Sequence, residues 1–327
     1  MQATRSLTLL LVAALGIGAT QTATAASQEY PSRPIRLIIP NAAGAAVDTL
    51  GRIFANTLTQ VAGQQIVVDY RGGAGGLIGM EIGKDAIPDG YTLLSASTAA
   101  MVIGPHIHKK LPFDPMKDYA FISLFGITPN IVVVNPSIPV KSLKELIALA
   151  KARPGELNFG TAGTGSTSHM AMELFQSVAK IKMTHVPYKG TGPAMIELIG
   201  GHLSLMFDVI MTSLPHVQSG KLRTLALSSL QRSSITPQVP TIAESGYPGF
   251  EAIVWFGLFA PTGTPPDIIK KVGEDTARIL ATPAMRELLA SQGADIVAST
   301  PTVFTTRVNA EIVKWRKVIQ DAGIKPE

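Results

Sequence analysis

The sequence predicts an α/β protein of two domains, each a mostly parallel sheet flanked by helices. Three observations carry that expectation. About 300 residues remain after an N-terminal leader, more than one hydrophobic core usually supports. Short β-branched runs alternate with segments of helical period, which implies parallel strands joined by helical crossovers. And one arrangement occurs twice, 121 residues apart as counted between Gly44 and Gly165: a strand, a loop of small uncharged residues, then a helix.

The leader itself comes first. Arg5 precedes an apolar run from Leu7 to Ile17, and Ala23, Thr24, Ala25 and Ala26 follow. Residues 1–26 therefore read as a secretory signal peptide with cleavage near Ala25 or Ala26. A retained anchor is disfavoured because the run is shorter than the ~20 residues of a bilayer span. The chain has no cysteine, so neither a disulfide framework nor a lipid-modified Cys is available. That profile suits a periplasm. Hydrophobic residues make up 46% and charged residues 16% of the chain, which excludes disorder. The net charge of +5 is spread along the chain without a basic block, and makes no case for nucleic acid.

Residues 35–39 are a β-branched run closed by Pro40, a buried strand. Asn41, Ala42, Ala43, Gly44, Ala45 and Ala46 follow. Asp48 then stands at the mouth of a helix through Leu50, Phe54 and Leu58, suited to capping it or to its first turn. A second strand at 66–68 leads into Gly72, Gly73, Ala74, Gly75, Gly76 and Gly79. This spacing departs from the dinucleotide fingerprint and lacks its acidic partner; the glycines read as room for close helix–strand packing. A third strand at 91–96 runs into Ser97. His106 and His108 are expected in a solvated polar connection, with no third group to complete a metal site.

Strands at 122–125 and 131–134 bracket a Gly-Ile-Thr-Pro-Asn segment ending at Asn130, a candidate crossing between domains. A helix at 139–152 stops at Pro154. The second strand–loop–helix unit follows: Gly160, Thr161, Ala162, Gly163, Thr164, Gly165, Ser166, Thr167 and Ser168, then a helix from His169 through Phe175. Free amides at a helix start favour an anion. The alternative is a flexible connection with Ser166 or Thr167 as N-cap. A strand at 183–188 precedes another helix, and a strand at 203–207 ends at Asp208. A short helix spans 214–218, and 222–227 is a candidate second crossing. A Pro- and Ser-rich connection leads to an apolar strand at 252–259 holding Trp255 and Phe256. Helices at 267–280, 283–292 and 301–322 complete the chain.

Catalysis finds little support. The Gly-Ser-Thr-Ser run is not a nucleophile elbow, His169 lies too close in sequence to serve Ser166 as a base, and carboxylates are scattered. No enzyme activity, cofactor or metal is expected. Two neutral, amide-rich helix starts facing one cleft would instead hold a carboxylate from two sides.

The residues that support this also carry a resemblance. From Tyr30-Pro31-Ser32-Arg33-Pro34-Ile35, through Pro40 to Asp48 with Arg52, the chain is similar to the Bug/TctC-type periplasmic receptors of tripartite tricarboxylate transporters. The likeness continues in Gly73-Ala74-Gly75-Gly76, in Pro88-Asp89-Gly90-Tyr91-Thr92-Leu93-Leu94 and in Gly160 through His169. It extends to His185-Val186-Pro187-Tyr188-Lys189-Gly190, Phe207-Asp208, Val239-Pro240-Thr241 and Trp255-Phe256-Gly257-Leu258. It implies a type II periplasmic-binding-protein (Venus flytrap) fold with the ligand between its domains, and carboxylate recognition by the loops at 40–48 and 160–168.

Domain 1 would comprise 27–127 plus about 224–327, and domain 2 residues 128–223. Ligand contacts are expected from Pro40, Asn41, Ala42, Ala43, Gly44, Ala45, Ala46, Asp48, Ser97, Asn130, Thr161, Ala162, Gly163, Thr164, Gly165, Ser166 and Thr167. Asp208 is expected either to meet the ligand's distal group or to cap a helix; Phe256 either walls the cleft or is buried. The first loop departs from the family pattern at Asn41, Ala43 and Ala45, which leaves the carboxylate's identity open: a dicarboxylate, tricarboxylate, aromatic acid or acidic amino acid. The expected partners are the large and small membrane subunits of such a transporter, served by a monomeric receptor. A same-fold sensor working with a membrane kinase is the alternative, and a secreted hydrolase a remote one.

Overall fold

The computed structural model describes residues 30–41, 46–73 and 76–326, with the side chains of residues 46 and 47 left aside. The signal peptide at 1–26, the loop residues Ala42, Ala43, Gly44 and Ala45, and Ala74–Gly75 lie outside the described residues.

The chain order is β1 (Ile35–Ile39), α1 (Ala46–Ala62), β2 (Ile66–Tyr70), α2 (Leu77–Lys84) and β3 (Thr92–Ser97). A π-helical turn (Ala99–Ile103) and α3 (Gly104–Ile107) follow, then the long strand β4 (Tyr119–Val134). Next come α4 (Leu143–Ala152), β5 (Asn158–Thr161), α5 (Thr167–Ala179), β6 (Thr184–Pro187), α6 (Thr191–Ile199), β7 (Leu205–Val209), α7 (Ile210–Gln218) and β8 (Arg223–Leu227). The chain ends with β9 (Ile253–Pro261), α8 (Pro266–Leu280), α9 (Pro283–Ser291), β10 (Asp295–Ile296) and α10 (Pro301–Asp321).

One strand joins two half-sheets. The expected pair of strands around Gly126–Asn130 is instead a single strand, β4, 16 residues long. Its first part, from Tyr119 to Pro129, pairs antiparallel with β9. From Asn130 to Val134 it pairs with β7, and from Ile131 with β8 on its other side. Because partners are supplied along its whole length, the Gly-Ile-Thr-Pro-Asn segment has no reason to leave the extended conformation. Pro129, which cannot donate to a ladder, stands where β9 gives way to β7 and β8.

The two half-sheets have matching orders. One runs β2-β1-β3-β9-β4, the other β6-β5-β7-β4-β8. In each, three parallel strands meet a strand that runs against them. The repeated strand–loop–helix units of the sequence, β1 to α1 and β5 to α5, therefore occupy equivalent places in the two halves. β8, expected as a crossing, pairs along the Ile131–Val134 end of β4, with one further bridge from Leu227 to Thr241. The chain returns to β9 through residues 228–252.

The two passages are tied to each other. Asn130 N–H donates to Ser228 Oγ at 2.9 Å, and Ser228 N–H returns a bond to Asn130 O at 2.9 Å. Asn130 Nδ2 donates to Ala252 O at 2.7 Å, and Ser228 Oγ reaches the same carbonyl at 2.8 Å. Helix α10 is fastened to β9 beside them: Phe304 packs edge-on to the Trp255 ring at 5.3 Å, and Trp255 Nε1 donates to Glu311 Oε2 at 2.8 Å.

The glycines before and within α2 do what their spacing predicts. A Cβ on Gly79 would lie 2.6 Å from Arg71 O and 2.7 Å from Pro40 Cα, and one on Gly83 2.0 Å from Leu94 Cδ2. Only glycine lets α2 lie this close to the β1 exit. Gly79→Ala is therefore expected to destabilise the fold by about 1–3 kcal/mol, because the obstructing atoms are backbone. Ile78→Ala, at an exposed site on the same helix, should change stability little. Urea midpoints of the two variants test this, and an unshifted midpoint for Gly79→Ala would show that α2 has room to spare.

Candidate functional site

Between the half-sheets opens a cleft of about 470 Å³. Its first wall is Pro40 and Asn41 at the exit of β1, Gly73 and Gly76 before α2, and Ala99, Gly104, Ile107 and His108 on and beside α3. Its second wall is Ala162, Thr164, Gly165 and Ser166, the loop between β5 and α5. No described lining residue is Lys, Arg, Asp or Glu. The undescribed positions in the neighbouring loops, 42–45 and 74–75, are all Ala or Gly. No described Lys or Arg therefore lines the cleft as a countercharge to an anion.

The second wall is built mostly by its own side chains. Ser166 caps α5, its Oγ accepting from His169 N–H at 3.2 Å. Ser168 Oγ accepts from Ala162 N–H at 3.2 Å, and Thr161 Oγ1 from Gly163 N–H at 3.2 Å. Gly165 N–H donates to His169 Nδ1 at 3.1 Å, and Ser166 N–H to Gly163 O at 3.1 Å. The row of free amides expected from the sequence is thus largely occupied from within. The amides of Thr164, Thr167 and Ser168 enter none of these bonds, and the last two open α5, where intrahelical partners are absent. Gly163 and Gly165 adopt φ of 129° and 74°, conformations costly for other residues.

The walls touch. A Cβ on Gly165 would lie 2.1 Å from Ile107 Cδ1, so this glycine accepts a side chain from the opposite half. The histidines expected in a solvated connection are placed differently. His108 lines the cleft, and His106 Nε2 lies 3.1 Å from Ile312 O of α10. Burial, with Arg316 nearby, pushes the His106 imidazole pKa down.

Several expected contacts are engaged elsewhere and do not line the cleft. Asp48 is fully buried, accepting from Tyr70 Oη at 2.6 Å and paired with Arg52 at 2.9 Å. Asn130 ties the two passages. Ser97, buried at the end of β3, pairs in register with Phe256. The Phe256 ring is itself buried, 6.4 Å from Phe125. Thr161 faces inward, its Oγ1 2.7 Å from His185 Nε2. Asp208 accepts from Ser213 Oγ at 2.7 Å and from Thr212 Oγ1 and the Val209 amide, all at the start of α7. Burial pushes its carboxyl pKa up. The Asp208 carboxylate is thus engaged by hydroxyls of α7 and by the Val209 amide, and does not cap the helix's first-turn amides. Gly73, Gly76, Ala99, Gly104, Ile107 and His108 were missed in the sequence. For the glycines the dense spacing before α2 was a usable signal; α3 offered none, since its place in the cleft depends on tertiary packing.

Among the described residues no cluster of three or more His, Asp or Glu could hold a metal, and no helix is long and apolar enough to cross a membrane.

Asp208→Ala would leave the buried Ser213 hydroxyl without its acceptor and should cost about 1–3 kcal/mol. Ligand affinity of the folded fraction should stay within twofold, which calorimetric titration checks. A second expectation concerns His185, whose pKa is brought down to about 4 by burial and by His169. Its folded pKa lies below that of a free imidazole, about 6.5. The unfolded chain therefore takes up the proton first, so the stability gained is complete above about pH 6.5 and is lost as pH falls towards 4. Urea midpoints should drop more steeply on acidification in the wild-type protein than in His185→Gln; parallel curves would refute it.

Residues 50–324 match the family model described as the tripartite tricarboxylate transporter family receptor. The protein BugT of Bordetella pertussis is 39% identical over 328 residues, covering 99% of both chains. Among solved structures, R. palustris Rpa4515 with adipate superposes with a TM-score of 0.83 at 33% identity, covering 91% of this chain and 100% of that one. MatC from Rhodopseudomonas palustris with bound malate gives 0.77 at 31% identity, covering 89% and 100%. With its half-sheets joined by β4, the fold is the two-domain periplasmic-binding-protein fold of these neighbours. The chain belongs to the tripartite tricarboxylate transporter receptors, a family of solute-binding proteins and not of enzymes.

Proposed function

We propose that the protein captures a small organic carboxylate in the cleft between its lobes and hands it to the membrane subunits of a tripartite tricarboxylate transporter. The observation that carries this is the cleft's lining: glycines, hydroxyls and the start of a 13-residue helix, with no described Lys or Arg. Such a lining suits an anion held by main-chain amides and hydroxyls. It also suits release, since no cationic side chain has to be displaced. Adipate and malate in the related structures support the same class of ligand.

In this reading one jaw is Thr164, Ser166 and the amides of Thr167 and Ser168; the other is the loop from Pro40 to Ala46. The lobes divide at Pro129–Asn130 and within 228–252, which assigns β8 to the second lobe and moves that boundary past the one expected near residue 224. The leader is removed near Ala25 or Ala26, and the mature receptor works as a monomer in the periplasm.

Thermal denaturation of the mature protein tests the ligand class. Adipate, malate and acetate are compared with a neutral diamide and a diamine of matched length. A ligand at 100 times its Kd adds about 2.7 kcal/mol of stability by mass action, so at least one acid should raise Tm by several degrees. Thr164→Glu, which puts a negative charge in the seat, should abolish the rise without lowering the ligand-free Tm. Stabilisation by the diamine or diamide and by none of the acids would overturn the proposal.

A further inference from the structure

Behind the loop of the second wall lie two stacked imidazoles that the carboxylate reading does not use. The His169 and His185 rings are 3.9 Å apart and 12° from parallel, and Phe159 continues the stack at 5.0 Å from His185. The three rings come from α5, β6 and β5, so the stack joins all the elements that meet at the loop. His169 is 4% exposed.

Each imidazole holds one end of the loop's central turn. Gly165 N–H donates to His169 Nδ1 at 3.1 Å. Nδ1 therefore carries no proton, and that of the neutral ring is on Nε2, which faces Glu173 Oε1 at 3.6 Å. On the other side His185 Nε2 is bonded to Thr161 Oγ1 at 2.7 Å, and Thr161 Oγ1 accepts from Gly163 N–H at 3.2 Å. Thr164 lies between these two tethered glycines and is itself exposed to the cleft. Both glycines have positive φ, so the turn lacks the restraint a Cβ imposes and its shape has to be set from outside.

We infer that His169, backed by His185, is a positioning residue for the carboxylate seat: its bare Nδ1 fixes Gly165 and so aims the Thr164 amide and hydroxyl into the cleft. The inference rests on the carboxylate reading. His169 does not touch the ligand. Its effect comes from preorganisation, which spares the ligand the ordering of a glycine-rich turn on binding.

Two substitutions separate the acceptor from mere bulk. His169→Asn can keep a carbonyl oxygen near the position of Nδ1, whereas His169→Leu fills the space without an acceptor. Calorimetric titration with adipate and malate should show His169→Leu weakened roughly tenfold, in line with the loss of one hydrogen bond. His169→Asn should stay within about threefold of wild type on the same scale. Affinity in His169→Leu within twofold of a binding wild-type protein overturns this inference alone. No binding of either acid by the wild-type protein overturns the carboxylate reading and this inference with it. Should His169→Leu fail to fold, ring 15N spectra of the wild-type protein decide. An unprotonated Nδ1 with the proton on Nε2 is expected at pH 7.5, and a protonated Nδ1 overturns the assignment.

Discussion

The structure is organised around a problem of donors. A charge removed from water must be met by hydrogen bonds, or its desolvation is not repaid. The described lining of this cleft offers no Lys or Arg, so the donors have to come from backbone and hydroxyls. Yet an amide left without any partner in a buried loop costs about 1–3 kcal/mol. The loop before α5 resolves this by dividing its donors. Ala162, Gly163, Gly165 and Ser166 are satisfied by Ser168, Thr161, His169 and the Gly163 carbonyl. Thr167 and Ser168 keep the amides that every helix start leaves over. The hydroxyl-rich composition of 160–168 is therefore scaffolding first, and a source of ligand contacts second.

A seat of this kind works only if its opposite wall can be brought to it in one geometry. The long pairing of β4 with β9, and of the same strand with β7 and β8, makes the two half-sheets parts of one ladder. Asn130, Ser228 and Ala252 fasten the two passages at the point where β4 changes partners. The contact of Ile107 with Gly165 then limits how near the walls approach. One glycine thus meets two demands, a positive φ within its own loop and an empty Cβ position for the other lobe.

The fold was legible where its signals are local. β1 with α1 and β5 with α5 were found because a β-branched run, a small-residue loop and an apolar helical period each declare themselves within a few residues. The glycines at 76 and 79 likewise indicated close packing before any partner was known. What escaped was decided at a distance. Asn130 looked like a ligand contact because nothing nearby in sequence reveals that Ser228 and Ala252 hold it. β4 looked like two strands because β9, more than 120 residues later, supplies the pairing that keeps Gly126–Asn130 extended. Asp208 carried both of its possible roles in its position at a strand end; that the hydroxyls of Thr212 and Ser213 engage it was not visible there. Ile107 and His108 belong to a short helical segment that no periodicity announces.

The same division bears on selectivity. Amides and hydroxyls at a helix start recognise a carboxylate group, whichever molecule carries it. Identity must come from the rest of the lining, and most of that is featureless: Pro40, Gly73, Gly76, Ala99 and Gly104 offer shape alone. Asn41 adds an amide that can donate or accept. His108 is the one ionisable side chain among the described lining residues, and the Ala and Gly residues at 42–45 and 74–75 add none. A second charged group on a ligand would therefore meet the His108 imidazole or solvent. In the proposed reading the seat serves a class of acids, and choice within the class falls to Asn41 and His108 on the opposite wall.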